Sequence, residues 1–273
     1  MNLSEIIALA YEEDIGTGDL TTQYLDLPKK ESTAHLIAKQ NGVICGLDVA
    51  QKAFHYIDSK IRWVAYKKDG DLVEKGDVIA KAEGYSCSLL QAERVALNFL
   101  QRMSGIATLT RKHVDLIKPY KAKLLDTRKT TPLLRSLEKY AVRAGGAYNH
   151  RFGLYDMIMI KDNHIHAAGS ITEAVRRVKR FNTSYKIEVE VKNLEELQEA
   201  VQNQVDRVML DNMSLDQIKE AVRIYSGQIE MEVSGNVKLD TIEAIAATGV
   251  DYISSGSLTH SYQSLDISLL FKE

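Results

Sequence analysis

Apolar residues change their spacing repeatedly along this chain, and each change marks a different kind of element. Leu3, Ile6, Ile7 and Ala10 recur at helical spacing, and GTGD at Gly16–Asp19 breaks the run, so the sequence opens on a helix. In TAHLIAKQNGVICG, apolar residues alternate on both sides of Asn41-Gly42, a dipeptide that predicts a short hairpin. A helix is expected from about Asp48 to Ile57. In KIRWVAYKKDGDLVEKGDVIAKAEG, Asp69-Gly70 and Lys75-Gly76 punctuate short β segments. Part of that stretch has the look of half a lipoyl or biotinyl carrier repeat. It lacks a lysine on a clear hairpin tip and reads as sheet scaffold. The first hundred or so residues thus predict a small α+β unit on an antiparallel sheet.

From Ser88 the period lengthens. Leu89, Leu90, Ala92, Val95, Ala96, Leu97, Phe99 and Leu100 mark a well-buried helix that continues past Gly105 to Ile117, where Pro119 stops it. Beyond it strands and helices alternate. KLLDTRK, DMIMIKDN, KIEVEV, DRVMLDN, IEMEVSGN and DYISSGS read as strands, with helical patterns at Ile171–Arg180, Leu194–Val201, Leu215–Ile224 and Leu239–Thr248. Such βα units build parallel sheets through right-handed crossovers. Six strands in roughly 155 residues fall short of the ~250 of a full eightfold barrel, so an incomplete barrel is expected. An open doubly wound sheet has the same periodicity and stays open as the alternative.

Composition narrows the function classes. The 273 residues are 45% hydrophobic, enough for a real core, and 35 Lys and Arg balance 37 Asp and Glu to a net charge of -2. No global field draws nucleic acid or an anionic membrane. Cys45 and Cys87 lack the spacing of a disulfide framework or zinc site. No apolar run approaches the roughly 20 residues of a membrane span, and acids stand where a signal peptide carries bases, so a cytoplasmic protein is expected.

Chemistry concentrates where the strands end. Parallel α/β architectures gather C-terminal strand ends on one face, so Asp126, Thr127, Arg128, Lys129, Lys161, Glu190, Asp211, Ser234, Gly235, Asn236, Ser255, Gly256 and Ser257 are predicted to converge. Arg128, Lys129 and Lys161 are read as anion ligands, because the preceding apolar strand gives each a rigid origin. Arg135, Lys139 and Arg143, spaced four apart beside Glu138, are read as solvated helix surface. His150 and Arg151 sit between Gly146 and Gly153 and can donate to a planar carboxylate. Glu188 and Glu190 alternate with valines and point into the lumen of a barrel. Glu190 and Asp211 offer the oxygen ligands that suit Mg²⁺ carried by a phosphorylated substrate. SGN and SGS on the last strands can cradle a phosphate. His164 and His166 beside Asp162 lack a third ligand at clear spacing and are not read as a zinc site.

The blocks EDIGTGDLTT, ERVALNFLQRMSGIAT, LLDTRKTTPLLRSLEKYAVRAGGAYNHRFGLYDMIMIKDNHI, EVEVKNLEEL, VMLDNM, SGN and GVDYISSGSLTHS, in this order over nearly the whole chain, resemble the quinolinate phosphoribosyltransferases. The resemblance implies an N-terminal α/β sandwich (residues 1–105) and a C-terminal open α/β barrel of about six strands (residues 106–273). It implies transfer of phosphoribose from 5-phosphoribosyl 1-pyrophosphate (PRPP) to quinolinate with decarboxylation, in NAD biosynthesis, by a Mg²⁺-dependent homodimer. Arg94 of the partner subunit, with Arg128, His150, Arg151 and Lys161, would surround the quinolinate carboxylates. Thr127 and Lys129 would complete that shell, with Lys129 also reaching PRPP. Glu190 and Asp211 would hold ribose and Mg²⁺, and Ser234, Gly235, Asn236, Ser255, Gly256 and Ser257 the 5′-phosphate.

Two positions depart from the family pattern: Leu133 and Asn236 stand where glycine is common. Asn tolerates a positive φ better than most residues. Three other functions fit the residues alone: a Schiff-base lyase using Lys161, a non-catalytic anion binder, and transfer to nicotinate without decarboxylation. The excess of strand-end cations argues against the last, since one carboxylate needs fewer partners.

Overall fold

The computed structural model describes residues 2–26 and 30–272, which cluster into two compact units. The first comprises Met1–Arg111, Ser136–Gly146 and Tyr262–Glu273; the second comprises Lys112–Arg135 and Ala147–Ser261. Residues 136–146 and 262–273, which the sequence places with the second region, therefore cluster with the first.

In the first unit the opening helix spans Leu3–Ile15. It starts on a reciprocal cap: Asn2 Oδ1 accepts the Glu5 amide at 3.0 Å, and Glu5 Oε2 accepts the Asn2 amide at 2.7 Å. The strands are β1 (Glu31–Ala38), β2 (Gly42–Val43), β3 (Arg62–Ala65), β4 (Leu72–Val73) and β5 (Val78–Tyr85). The hairpin expected at Asn41-Gly42 does not form: β2 pairs with β4, and β1 pairs with β5. Gly42 does not take the positive φ that a tight hairpin turn requires. The helix predicted near Asp48 runs Leu47–Ile57, and the long one runs unbroken from Ser86 to Ile117. Tyr140 and Glu138 belong to the helix Arg135–Ala144. Glu138 and Lys139 are buried, and Glu138 pairs with Arg102, so of the three cations expected on a solvated surface only Arg143 is exposed. Burying that carboxylate is tolerated because a guanidinium meets it.

The second unit carries β6 (Lys123–Leu125), β7 (Ile158–Ile160), β8 (Ile187–Val191), β9 (Arg207–Asp211), β10 (Glu230–Ser234) and β11 (Tyr252–Ser254), one for each predicted strand. All pairings between them are parallel, in the order β6-β11-β10-β9-β8-β7. β7 to β11 are laid down in chain order and β6 closes onto β11, leaving a seam between β6 and β7. That order is an open barrel and excludes the doubly wound alternative. Helices Ile171–Lys179, Leu194–Gln202 and Leu215–Tyr225 start on Ser170, Asn193 and Ser214, whose side chains each accept the amide three residues on. The helix expected over Leu239–Thr248 is shorter, Ile242–Ala246.

Residues Val189, Val191, Val208, Leu210, Met231, Val233 and Ile253 are buried and form the apolar layer of this sheet. The alternate positions carry Glu188, Glu190, Arg207, Met209, Asp211, Glu232 and Ser234, and registers such as Glu190↔Met209 and Asp211↔Ser234 place them side by side. All five residues of β8 are buried, as expected for a strand covered on both faces. Finally, β12 (Ile267–Phe271) pairs antiparallel with β1 and completes the first unit's sheet in the order β12-β1-β5-β3.

Candidate active site

The strand ends of the second unit enclose a cavity of about 370 Å³ lined by Thr127, Arg128, Lys129, His150, Arg151, Met159, Lys161, Glu190, Met209, Asp211, Ser234 and Ser254. Its size suits a small polar ligand. Nine of these were predicted from the sequence. Met159, Met209 and Ser254 were not, because an apolar or small residue inside a strand carries no chemical flag. Their signal is parity: Met159 pairs with Glu188, and Met209 with Glu190, on the face already inferred to be the lumen. Gly235, Asn236, Ser255, Gly256, Ser257 and Arg94 are not among the lining residues.

Each polar group is held by identifiable contacts. Asp126, fully buried at the end of β6, accepts the His150 amide at 2.8 Å and the Asn149 side chain at 2.5 Å, and so anchors the loop carrying His150 and Arg151. Arg135 clamps the neighbouring backbone: its guanidinium donates to Thr130 Oγ1 at 2.9 Å and to the Phe152 carbonyl at 3.0 Å. The Arg151 guanidinium donates to the Met157 carbonyl at 3.1 Å. Burial, then the nearby Arg128 cation, hold the Arg151 pKa below its ordinary range.

His150 reaches down into the lumen. Its Nε2 lies 3.1 Å from Glu188 and 3.4 Å from Glu232, and its side chain is 5% exposed. Burial alone would lower the imidazole pKa, but the two carboxylates outweigh it and raise the pKa to about 9. Nδ1 faces the Arg151 amide at 2.7 Å, so charging the ring displaces one backbone contact. Two buried carboxylates outweigh that single bond. Burial raises the Glu188 pKa, while His150 overcomes burial to lower that of Glu232. Arg207 also donates to Glu232 at 3.3 Å and stacks on Tyr252, 3.9 Å from the ring centroid. Ligand atoms of His150, Glu188 and Glu232 lie within 4.8 Å of one another, a spacing that metal ligands share, yet the Arg207 cation already serves Glu232. His164 is occupied locally, its Nδ1 accepting the Lys161 amide at 3.0 Å.

Toward the mouth, Lys161 Nζ meets Glu190 Oε2 at 2.6 Å. Asp211 Oδ2 accepts the Asn212 side-chain amide at 3.0 Å. Glu190 and Asp211 are hard oxygen donors at adjacent strand ends, a donor type that suits Mg²⁺. The Lys129 carbonyl accepts the Thr259 hydroxyl at 2.8 Å, tying the loop after β6 to the one after β11. Ser255 is buried, and its hydroxyl lies 3.3 Å from the Val237 carbonyl and 2.7 Å from Ser257 Oγ. That hydroxyl thus braces the two glycine-containing turns against each other. Arg94 is an exposed side chain of the long helix, with Glu93 4.0 Å away.

The arrangement binds anions beside a pair of carboxylates, and known proteins share the whole frame. The family model described as quinolinate phosphoribosyl transferase, C-terminal domain, matches residues 106–270, and its N-terminal counterpart matches residues 19–104. A Bacillus subtilis protein named "Probable nicotinate-nucleotide pyrophosphorylase (carboxylating)" is 46% identical over 98% of this chain and 93% of its own. A chloroplastic nicotinate-nucleotide pyrophosphorylase (carboxylating) of Arabidopsis thaliana is 44% identical over 98% of this chain and 82% of its own. The solved structure of the nicotinate-nucleotide pyrophosphorylase from Francisella tularensis superposes with a TM-score of 0.94 at 42% identity, covering 99% of this chain and 96% of the other. Sequence, fold and strand-end chemistry agree: the chain belongs to the quinolinate phosphoribosyltransferase family.

Proposed function

We propose that this protein transfers phosphoribose from PRPP to quinolinate with loss of CO₂, giving nicotinate mononucleotide and pyrophosphate, a step of NAD biosynthesis. The observation that carries this reading is one cavity in which Arg128, Lys129, Arg151 and Lys161 stand beside Glu190 and Asp211. Two polyanions need several cations at close range, and a low-dielectric cleft strengthens each contact. Arg128, Arg151 and Lys161 hold the quinolinate carboxylates, with Thr127 beside them; His150, whose ring nitrogens are engaged by Glu188, Glu232 and the Arg151 amide, supports Arg151 from below and does not reach the diacid itself. Lys129 reaches the phosphorylated sugar, and the turns Ser234–Asn236 and Ser255–Ser257 receive its 5′-phosphate.

The pyridine nitrogen is already a free nucleophile, so bond formation to the anomeric carbon and departure of pyrophosphate require alignment, not a general base. Glu190 and Asp211 hold the ribose hydroxyls and face the positive charge that develops on the sugar. Glu190 and Asp211 would hold a Mg²⁺ ion, which would supply charge neutralisation for the leaving diphosphate. Once the ring nitrogen is cationic, its charge stabilises the electron pair left on the adjacent ring carbon as the carboxylate there leaves as CO₂, and a proton then bonds to that pair. Lys161 is engaged by Glu190, a setting unlike the apolar pocket of a Schiff-base lysine.

The assembly we infer is a homodimer in which the exposed Arg94 of one subunit completes the other's cavity. Two free thiols, one fully buried, suit a reducing cytoplasm. Among the described residues no helix is long and apolar enough to cross a membrane. The test is an assay for CO₂ and nicotinate mononucleotide from quinolinate, PRPP and Mg²⁺. We expect both products in equal amounts; pyrophosphate release with nicotinate but not quinolinate would overturn the assignment.

A further inference from the structure

We propose that Asn236 and Asn212 act together as positioning residues for Asp211, through a relay of side-chain amides running from Asn236 through Asn212 to the carboxylate. Asn236 Nδ2 donates to Asn212 Oδ1 at 3.2 Å, and Asn212 Nδ2 donates to Asp211 Oδ2 at 3.0 Å. The direction of the relay follows from chemistry. An ionised carboxylate only accepts, so Asn212 must turn its NH₂ group toward Asp211, which leaves its oxygen for the one partner able to donate, the NH₂ of Asn236. Both amide orientations are thereby fixed by the last group in the line.

The backbone is arranged around this line. Asn212 and Asn236 each hold φ at 53°, in the left-handed region that asparagine tolerates and most residues avoid. The Asn212 amide donates to the Ser234 carbonyl at 3.0 Å, pinning the end of β9 to the end of β10. Gly235, at φ 93°, lies so near the Asn212 carboxamide that any Cβ there would collide with it. A glycine at position 236 would keep the turn and lose the relay. The asparagine therefore adds a side-chain link between the turn after β10 and the carboxylate at the end of β9. With the functional reading above, on which this inference rests, the link joins the 5′-phosphate turn to the carboxylate that faces the ribose, and leaves the quinolinate side of the cavity untouched.

Both asparagines are solvent-accessible, so each bond is of ordinary strength and the expected effects are several-fold, not catalytic knockouts. The experiment compares wild type, Asn236→Gly, Asn212→Gly and the double variant; glycine at both positions preserves the left-handed backbone. Kinetic constants for PRPP and quinolinate are read separately, with calorimetric Kd for Mg²⁺·PRPP alongside. We expect Asn236→Gly to lower kcat/KM for PRPP by about three- to tenfold, with KM for quinolinate within about twofold of wild type. The double variant should be no worse than Asn212→Gly, because one relay is broken in either case. Effects that multiply in the double variant, or an Asn236→Gly enzyme indistinguishable from wild type, would overturn the relay. If Asn212→Gly does not fold, the isosteric Asn212→Asp removes the donor, and the same non-additivity decides. A wild type that neither binds nor turns over PRPP would refute the functional reading itself, whereas normal turnover with an unaffected Asn236→Gly refutes only the relay.

Discussion

Leu133 holds φ at 68° with a side chain 69% exposed, so its left-handed backbone, at about 1–2 kcal/mol, is offset by little burial. Leu133→Gly removes that strain but gives the unfolded chain more freedom, about 0.4–1 kcal/mol. The balance predicts a gain of about 0.5–1 kcal/mol and a thermal midpoint higher by roughly 1–4 °C. An unchanged or lower midpoint would show that the leucine is unstrained. His150 supports a second expectation. Its folded pKa, raised to about 9, lies above the ordinary 6.5, so the stability it contributes is full below pH 6.5 and is lost as pH rises through 9. Glu232→Gln removes a buried counter-charge. We expect it to destabilise by about 3–5 kcal/mol at pH 6.5 and to flatten the decline between pH 6.5 and 9, as read from denaturant midpoints. At this scale the sequence shows His150 as a candidate, turns Glu188 into the lumen and gathers Asp126 with the strand ends, but does not show that the three meet. Glu232 sits in an ordinary alternating strand with no flag of its own.

Elements were the most legible level. The six barrel strands fall where the sequence predicts: β8, β9 and β10 keep a two-residue period because polar groups occupy one face, and β6, β7 and β11 are short apolar runs bounded by polar residues. The long helix passes Gly105 as expected, but for a reason periodicity does not carry. A methyl group there would run into the Gln263 carbonyl and the Ser264 Cα. In an open helix Gly→Ala adds about 1 kcal/mol of stability. Gly105→Ala should instead cost about 1–3 kcal/mol, since the opposing atoms are backbone and cannot rotate away. A midpoint rise on thermal melting would refute that packing. The hairpin expected at Asn41-Gly42 is absent because β2 is two residues long and its partner β4 lies beyond a helix and β3.

For the molecule as a whole, a net charge of -2 coexists with a cavity lined by Arg128, Lys129, Arg151 and Lys161. Substrate capture and folding should therefore respond differently to salt. Raising ionic strength from about 0.05 to 0.5 M shortens the Debye length from roughly 14 to 4 Å. We expect KM for quinolinate to rise several-fold over that range while the thermal midpoint moves little; an unchanged KM would show that the cations do not attract the diacid from solution. The convergence of the strand ends was legible because βα order alone dictates it. The division into units was not, because no local pattern announces that residues 262–273 cluster with the N-terminal part.

That return has a consequence during synthesis. β1 lies between β12 and β5, and its pairing with β12 joins positions about 230 residues apart, such as Ala38 and Ile267. While the ribosome is still making the barrel, β1 offers an unpaired flank with Leu36 and Ala38 beside it. Such a flank can recruit the same strand of a neighbouring nascent chain. Slow translation of the barrel prolongs that exposure, and the β1 edge is sealed only once residues 267–271 leave the exit tunnel.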